Sequence, residues 1–447
     1  MPTKSFDLNI NTKIPSFNKT IEVDSDKSMS IRSFLIGSIS QNISSTKNVL
    51  ESEDVFSTIN CLKKLGVKIV KKEKKSYLVY GKGLGSLFAK KNTYLNFGNS
   101  GTLARLLIGI LSTTPNIEIN LSGDNSLNKR NMKKLIDLMT KFGAFFLPRN
   151  KNNFPLKIIS SEIPLGFNYK AGVSAQLKSA VILAGLNAYG ITKIIERDKS
   201  RDHTEKMLAK NPKVFNLKKG KKNIIYVHGK KSLSPINISV PGDPSSAAFF
   251  TALTLLNYKS KLIIKNVGLN KTRIGFYNLL KKTGTKILFK NLKKKNNEVR
   301  GDIIVKSSNL SPISAPKKYY VNSTDEYPIL FVIAALIKGI SVFRGIEDLS
   351  NKESNRIKEM QKILRQIGVK SIFKKNEMKI FGKGKIDASK KKIVVKNLGD
   401  HRICMSSFVL GVLTGAKTNI KNFETVYTSS PSFLKIMKSL GAKYETK

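Results

Sequence analysis

The stretch LKKLGVKIV, residues 62–70, contains the pattern on which the fold is predicted. Its apolar residues recur at the i, i+3 and i+4 positions of an amphipathic helix, and the pattern stops at Gly66. Glycine tolerates the left-handed conformation that ends many helices, and the residues after it are suited to a strand. The stretch therefore predicts a helix, a glycine cap and a strand in immediate succession.

The same pattern returns along the 447-residue chain at intervals of 68 to 84 positions. The further copies are LMTKFGAFF (138–146), MLAKNPKVF (207–215), LLKKTGTKI (279–287), ILRQIGVKS (363–371) and IMKSLGAKY (436–444). The copy at 207–215 is the weakest, since Asn211 stands where glycine is expected and would have to supply the left-handed cap in its place. Six copies of about 75 residues predict six mixed α/β modules, each longer than a common solenoid repeat. The alternative is that many α/β proteins simply end their helices at glycine.

A turn near the middle of the chain divides these modules into two groups of three. In VPGDPSSAAFF (240–250), two prolines and a glycine end one strand, and Ser245 or Ser246 can cap the next helix. We therefore expect an N-terminal lobe at 26–240 and a C-terminal lobe at 241–447. Residues 1–25 are assigned to the C-terminal lobe, so that the chain crosses between lobes twice.

Composition narrows the class of protein. No apolar run approaches the ~18 residues that cross a bilayer, and nothing before Asp24 is typical of a signal peptide or presequence. We therefore expect a cytoplasmic protein with no membrane partner. Cys61 and Cys404 lack the spacing of metal ligands, and with three histidines in the chain we expect no metal site.

The net charge is +50, from 80 Lys and Arg against 30 Asp and Glu. Such an excess raises nucleic acid as a partner. However, the lysines are scattered beside turns, and no RNA-recognition signature, finger spacing or basic helix with interleaved aromatics is present. We interpret the charge as a solvated surface that attracts small anions, with a nucleic-acid-binding protein as the alternative.

Polar and basic residues precede several apolar helices in the first half. A helix start offers unpaired N–H groups and a positive dipole end, so such residues suit a phosphate or carboxylate ligand. Capping by exposed basic residues is the alternative for any one segment. The segments are DKSMSIR (26–32), GNSGTLAR (98–105), Arg130 in SLNKRNMKKL, SAQLKSA (174–180) and SRDHTEKML (200–208).

The second half repeats this arrangement with ionisable clusters. They are Asp325 with Glu326, then Lys352, Glu353 and Arg356, then Asp400, His401 and Arg402. Capping or surface pairing explains each cluster alone. Capping does not explain why cations repeatedly fall at helix starts, where the dipole disfavours them unless an anion intervenes. The clusters together predict a shared anion-binding cleft.

Taken in order, nine motifs resemble the 5-enolpyruvylshikimate-3-phosphate (EPSP) synthase family over nearly the whole chain. They are DKSMSIR, GNSGTLAR, SAQLKSA, SRDHTEKML, PGDPSSAAF, DEYPIL, NKESNR, GDHR and TSSPSFLKIMKSLGA. The resemblance implies a two-domain inside-out α/β barrel, each domain made of three βαβαββ units and joined to the other by a double crossover. This fold agrees with the six modules predicted from periodicity.

The resemblance also implies a reaction and a set of residues. The 5-hydroxyl of shikimate 3-phosphate would add to C2 of phosphoenolpyruvate, and the tetrahedral intermediate would expel phosphate, with no metal or organic cofactor. The protein would be a monomer in the cytoplasm. The implied catalytic residues are Lys27, Asp325, Glu353 and His401. The residues implied to bind shikimate 3-phosphate are Lys27, Ser28, Arg32, Ser174, Ala175, Gln176 and Lys352. The residues implied to bind phosphoenolpyruvate are Lys27, Gly101, Arg130, Arg356 and Arg402. Further implied substrate contacts are Asn99, Arg201 and Asp325.

The sequence departs from the family in one place that concerns the site. The family often has Lys or Arg just before its terminal T-F-P motif, whereas the stretch 426–431 reads VYTSSP, which puts one phosphate contact in doubt. Relatives that tolerate the inhibitor glyphosate place alanine where this chain has Gly101, so we expect sensitivity. The sister transferase that acts on UDP-N-acetylglucosamine is the nearest rival, but it typically has Lys-Asn where this chain has Lys27-Ser28.

Overall fold

The computed structural model describes residues 5–90, 92–218, 220 and 222–447. Residues 1–4, which the sequence analysis assigns to the C-terminal lobe, lie outside the described residues. Within that part the chain forms 24 strands and 13 α-helices.

The strands are β1 (Leu8–Ile10), β2 (Asn18–Glu22), β3 (Ile43–Lys47), β4 (Ile69–Glu73), β5 (Ser76–Tyr80), β6 (Tyr94–Asn96), β7 (Glu118–Ser122), β8 (Phe145–Leu147), β9 (Leu156–Ile159), β10 (Asn168–Ala171), β11 (Ile191–Glu196), β12 (Phe215–Lys218), β13 (Asn223–His228), β14 (Asn237–Ser239), β15 (Lys261–Gly268), β16 (Lys286–Lys295), β17 (Glu298–Lys306), β18 (Ser314–Ala315), β19 (Lys338–Arg344), β20 (Lys370–Lys374), β21 (Glu377–Lys383), β22 (Lys392–Val395), β23 (Lys417–Ile420) and β24 (Glu445–Thr446). The helices are α1 (Lys27–Ile39), α2 (Glu53–Lys64), α3 (Gly101–Thr113), α4 (Lys133–Thr140), α5 (Ala175–Gly185), α6 (His203–Leu208), α7 (Pro244–Leu256), α8 (Gly275–Lys281), α9 (Tyr320–Ser323), α10 (Tyr327–Ala335), α11 (Arg356–Gln366), α12 (His401–Thr414) and α13 (Phe433–Ser439).

All the strands belong to six four-stranded sheets of one design. The sheet orders are β14-β3-β5-β4, β6-β7-β9-β8, β10-β11-β13-β12, β2-β15-β17-β16, β18-β19-β21-β20 and β22-β23-β1-β24. In each sheet the first two strands are parallel, and the remaining neighbours whose register is described are antiparallel. A tight turn cannot join parallel neighbours, which need a longer connection, whereas antiparallel neighbours that follow each other directly in the chain, such as β4 and β5, form a hairpin. The prediction of six βαβαββ modules is confirmed.

At five of the six helix-to-strand junctions, a glycine with left-handed backbone conformation follows the helix. Their φ angles are 80° at Gly66, 92° at Gly143, 86° at Gly284, 78° at Gly368 and 99° at Gly441. This is the conformation that only glycine adopts without strain.

The sixth junction differs, because Asn211 has no positive φ. Asn211 precedes Pro212, whose ring restricts the residue before it. Its side-chain oxygen instead accepts a hydrogen bond from the Ser234 N–H at 2.9 Å. The expectation that Asn211 supplies a left-handed cap was therefore wrong.

The chain divides into two compact units. The first comprises the residues up to Asp24, Pro241–Lys294 and Val299–Lys447, and the second comprises Ser25–Val240 and Lys295–Glu298. The chain thus passes from one unit to the other between β2 and α1 and again between β14 and α7. The short segment Lys295–Glu298, which the sequence assigned to the C-terminal lobe, groups with the second unit.

The helix after the second crossing begins at Pro244, at least two residues earlier than a cap at Ser245 or Ser246 would place it. Asp243, rather than Ser245 or Ser246, caps α7, since its Oδ1 accepts the Ser245 N–H at 2.8 Å. Pro244 occupies the first helical position, where its missing N–H is not needed.

Each unit has a hydrophobic core of its own, crossed by helices that are buried on nearly every side. In the second unit α3 packs against α1 and α5, and in the first unit α7, α10 and α12 pack against one another. Helices apolar all round are suited to such central positions. The predicted site residues Lys27, Gly101, Ala175 and His401 are the first residues of α1, α3, α5 and α12. In the described part of the chain, no helix is both long and apolar enough to cross a membrane.

Candidate active site

Lys27 stands at the start of α1 beside a buried acid. The N-cap Asp26 accepts the Met29 N–H at 2.8 Å through its Oδ1, which fixes the first turn. Lys27 Nζ lies 2.9 Å from Oδ2 of Asp54, in the first turn of α2. Asp54 was not predicted from the sequence, where an acid in a first helical turn is explained by the dipole alone. The pair holds an ammonium group in place at a helix start.

Arg32 lies one turn further along α1 and is held by neutral oxygens. Its Nε donates to Thr204 Oγ1 at 2.9 Å, its Nη2 to Ser179 Oγ at 3.2 Å, and its Nη1 to the Ser28 carbonyl at 3.0 Å. Thr204 belongs to α6 and Ser179 to α5, and the two hydroxyls are themselves hydrogen-bonded at 2.9 Å. Three elements of the second unit therefore fix one guanidinium group.

Two guanidinium groups flank Gly101, the first residue of α3. A Cβ atom built on Gly101 would meet Nη1 of Arg105 at 2.7 Å and Nη1 of Arg130 at 2.9 Å. Arg130 Nη2 donates to Asn99 Oδ1 at 2.5 Å, and Asn99 in turn donates to Asp124 at 2.8 Å. The absence of a side chain at Gly101 thus leaves two cations close to a helix N-terminus, which is a suitable place for an anion.

Gln176 joins this group to α5. Its Oε1 accepts from Arg105 Nη1 at 2.9 Å, and its Nε2 donates to Thr102 Oγ1 at 2.9 Å. Ser174 is the N-cap of α5 and accepts the Leu177 N–H at 3.4 Å, while Ala175 is the first helical residue. Arg105, the last residue of the GNSGTLAR segment, was not predicted as a site residue from the sequence. Its position one turn after Gly101 was the available signal.

Arg201 lies in the loop between β11 and α6 and is half-buried. The neighbouring His203, expected at a helix start or on the surface, is the first residue of α6 but is buried. Its Nδ1 lies 2.6 Å from Oε1 of Glu298, and Lys206 Nζ lies 2.8 Å from the other oxygen of that carboxylate. His203 thus stands at a helix start, the first of the two expected places, and not on the surface.

In the first unit, Arg356 gathers three carboxylates. Its Nε lies 2.9 Å from Asp400 Oδ2, its Nη2 lies 2.5 Å from Glu353 Oε2, and its Nη1 lies 3.7 Å from Asp325 Oδ1. Arg356 is 1% exposed. Burial alone would lower the pKa of this guanidinium, but Asp400, Glu353 and Asp325 outweigh burial and raise the pKa above its usual range. The structure thus brings together two of the predicted catalytic carboxylates, Asp325 and Glu353, around one cation.

Lys352 is held separately by an acid that the sequence did not predict. Its Nζ lies 2.6 Å from Asp348 Oδ2, and the Tyr320 hydroxyl donates to the same oxygen at 2.7 Å. Lys352 ends a short 3-10 turn rather than lying on α11. Lys352 and Arg356 therefore do not follow each other on one helix.

Arg402 is buried at the start of α12 with donors left over. It is 4% exposed, and neither Nε nor Nη1 finds a hydrogen-bond partner among the described residues. Its guanidinium lies 5.8 Å from the centre of the Phe249 ring, a cation–π contact. The preceding residue, His401, is also buried. A buried guanidinium with unsatisfied N–H groups is costly, so Arg402 is suited to receive an anion.

Comparison with solved structures supports the fold. The structure of NikO, an enolpyruvyl transferase from Streptomyces tendae, covers 99% of this chain and of its own with a TM-score of 0.72 at 12% identity. That of EPSP synthase from Acinetobacter baumannii covers 99% of this chain and 100% of its own with a TM-score of 0.84 at 32% identity. With its six modules and buried cations at helix starts, the chain has the fold of the enolpyruvyl transferases.

Sequence comparison narrows that class to one family. The model of the family described as EPSP synthase (3-phosphoshikimate 1-carboxyvinyltransferase) matches residues 12–437. The 3-phosphoshikimate 1-carboxyvinyltransferase of Zymomonas mobilis is 37% identical over 98% of this chain and 97% of its own length. That of Thermodesulfovibrio yellowstonii is 39% identical over 93% of this chain and 95% of its own. The chain belongs to the EPSP synthase family, as its motifs indicated.

Proposed function

We propose that the protein transfers the enolpyruvyl group of phosphoenolpyruvate to the 5-hydroxyl of shikimate 3-phosphate. The reaction proceeds by addition and elimination, releases phosphate, and belongs to the shikimate pathway that leads through chorismate to the aromatic amino acids. The observation that carries the proposal is Arg402, a buried cation whose Nε and Nη1 have no hydrogen-bond partner among the described residues. A doubly charged substrate supplies the acceptors that these donors lack.

Phosphoenolpyruvate is assigned to Gly101 and to three guanidinium groups, as the family resemblance implies. Arg130 and Gly101 in the second unit supply a guanidinium and an open helix start, and Arg356 and Arg402 in the first unit supply two buried guanidinium groups. Hydrogen bonds between charged partners are worth about 1.5–3 kcal/mol each, so several of them overcome the cost of desolvating a phosphate. Lys27 is assigned to both substrates.

Shikimate 3-phosphate is assigned mainly to the second unit. Arg32 and the start of α5 form a basic, hydrogen-bonding group to which a phosphate is suited. The residues proposed to contact this substrate are Lys27, Ser28, Arg32, Ser174, Ala175, Gln176 and Lys352, and Asn99, Arg201 and Asp325 are proposed as further substrate contacts.

The proton transfers are assigned to two carboxylates, one ammonium group and one imidazole. Asp325 accepts the proton of the 5-hydroxyl as its oxygen bonds to C2 of phosphoenolpyruvate, and Glu353 protonates C3. Glu353 then removes a proton from the methyl carbon while the C2–O bond to phosphate breaks, which restores the double bond. Lys27 and His401 take part in proton transfer. Arg356 lies close to both carboxylates, with Nη1 3.7 Å from Asp325 Oδ1 and Nη2 2.5 Å from Glu353 Oε2.

The experiment that tests these assignments measures phosphate release from both substrates by the purified protein and by Lys27→Met and Asp325→Ala. Both variants are expected to lose activity by a factor on the order of 10² or more, the usual contribution of a general acid or base. Unaltered rates in both variants would overturn the assignment. Lys71→Met, which removes an exposed lysine in the second unit, is the matched control.

Two further assignments belong to this proposal. The protein acts as a monomer, which sedimentation of the purified chain tests, and it acts in the cytoplasm, which fractionation of the producing cells tests. Retention on DNA without phosphate release from the two substrates would instead favour the nucleic-acid-binding alternative.

A further inference from the structure

An ion cluster that the proposed chemistry does not use lies within the second unit. Lys178, in the second turn of α5, is 0% exposed, and its Nζ lies 2.8 Å from Oε1 of Glu196 and 2.6 Å from Oε1 of Glu205. Glu196 is the last residue of β11 and Glu205 lies in α6, so one ammonium group joins three elements. Burial would lower the pKa of Lys178, but the two carboxylates outweigh burial and raise it.

This cluster is adjacent to the residues that hold Arg32. Ser179 follows Lys178 and Thr204 precedes Glu205, and these two hydroxyls are the ones that accept hydrogen bonds from Arg32. The Lys178–Glu205 pair therefore spans α5 and α6 beside the Ser179–Thr204 hydrogen bond. A shift of either helix would separate the two hydroxyls and release the guanidinium group.

The second carboxylate fixes a different part of the same region. Glu196 Oε1 accepts both the N–H and the hydroxyl of Ser200 at 2.8 Å, and Lys178 Nζ lies 3.5 Å from the Ser200 carbonyl. These bonds close the loop that continues directly into Arg201. The same lysine lies one turn after Ser174, the N-cap of α5.

We propose that Lys178, Glu196 and Glu205 are positioning residues for shikimate 3-phosphate. They set the places of Arg32, of the start of α5 and of Arg201 without touching the substrate. The inference rests on the proposed function, which assigns Arg32 and the start of α5 to that substrate and names Arg201 as a substrate contact. A buried ion cluster is a poor source of stability, because apolar replacements of similar volume are often neutral or stabilising. The positions that the cluster gives to the binding groups are therefore a better explanation than stability for the presence of two acids and a lysine in a core.

The test replaces the cluster by uncharged groups of similar shape in Lys178→Met/Glu196→Gln/Glu205→Gln. This variant is expected to stay folded while KM for shikimate 3-phosphate rises about tenfold or more, since small displacements of binding groups have large effects. KM for phosphoenolpyruvate is expected to rise much less, since Gln176 links α5 to the Gly101 group through its side chain alone, and a general loss of structure would not separate the two constants in this way. Lys71→Met, which breaks the 2.7 Å ion pair with Glu51 in the same unit, is the matched control and leaves both constants unchanged.

A single substitution allows the inference to be tested even if the triple variant does not fold. Glu205→Gln leaves Lys178 paired with Glu196 as one cation with one carboxylate, and only the pair between α5 and α6 is lost. A smaller rise in the same KM is expected. An active wild type whose KM for shikimate 3-phosphate is unchanged in both variants overturns this inference alone. A wild type that releases no phosphate from the two substrates overturns the proposed function, and this inference with it.

Discussion

Arg402 combines burial with unsatisfied donors, so its removal separates binding from stability. In Arg402→Met the protein loses an anion ligand but also two buried N–H groups without partners. We expect KM for phosphoenolpyruvate to rise by a factor on the order of 10 or more, the value of one charge-assisted bond, while thermal stability stays equal or increases. Enzyme kinetics and a thermal melt measure the two effects. A large loss of stability with unchanged KM would show that Arg402 is a structural residue.

The missing side chain of Gly101 lets two guanidinium groups approach the start of α3 closely. The Cβ atom of Gly101→Ala would lie 2.7 Å from Arg105 and 2.9 Å from Arg130, so both side chains must move. We expect the wild type to be inhibited by glyphosate and the variant to need a higher concentration of it. Inhibition curves for the two proteins test this expectation. A tolerant wild type, or equal inhibition of both, would contradict it.

The role of a residue could be predicted from the sequence only where the residue belongs to one of the family's motifs. Arg32 and Arg356 were identified by resemblance, but their partners Thr204 and Asp400 depend on contacts between distant segments. Asp54 and Asp348 were missed because an acid near a helix start is common and has no spacing of its own. The site assignments themselves stay predictions until the variants are measured.

At the scale of elements, the glycine caps follow directly from the pattern of the sequence. Gly284 has a φ of 86°, and a Cβ there would meet nothing closer than 3.6 Å, so a substitution tests backbone strain alone. Gly284→Ala is expected to lower the free energy of unfolding by about 1–2 kcal/mol. Gly284→Asn should lower it less, because asparagine tolerates the left-handed region. Denaturant unfolding measures both, and an alanine variant more stable than the asparagine variant would contradict the cap.

The segment that ends at Glu298 is tied to α6 through a carboxylate with an altered pKa. Burial alone would raise the pKa of Glu298, but His203 and Lys206 outweigh burial and hold the pKa below its usual value. The unfolded chain therefore takes up this proton first as pH falls, so the stabilisation is present above about pH 4.3 and is lost below it. We expect the stability of Glu298→Gln to fall less steeply than that of the wild type as pH drops from neutral to acid. Equal slopes in urea unfolding at several pH values would contradict this contribution.

Element order was predictable from the sequence because one period of helix, glycine and strand repeats. Asn211 shows the limit of that reasoning, since the following proline determines its backbone and a distant N–H uses its side chain. The Asp243 cap was missed for a similar reason, because three polar residues surround Pro244 and the pattern does not rank them. Local competition between caps is settled by packing.

At the scale of the whole molecule, the net charge of +50 is expected to act on anionic substrates before they bind. Salt screens such attraction over about 8–10 Å at moderate ionic strength. We therefore expect kcat/KM for both substrates to decrease as sodium chloride is raised, with an uncharged solute of equal osmolality as the control. A kcat/KM independent of salt would show that the charge has no part in substrate capture.

The most direct test of the proposed function is phosphate release by the purified wild-type protein. We predict phosphate release only when phosphoenolpyruvate and shikimate 3-phosphate are both present, together with a product that carries the added carboxyvinyl group in its mass. Release that requires UDP-N-acetylglucosamine instead of shikimate 3-phosphate, or no release with either acceptor, would contradict it.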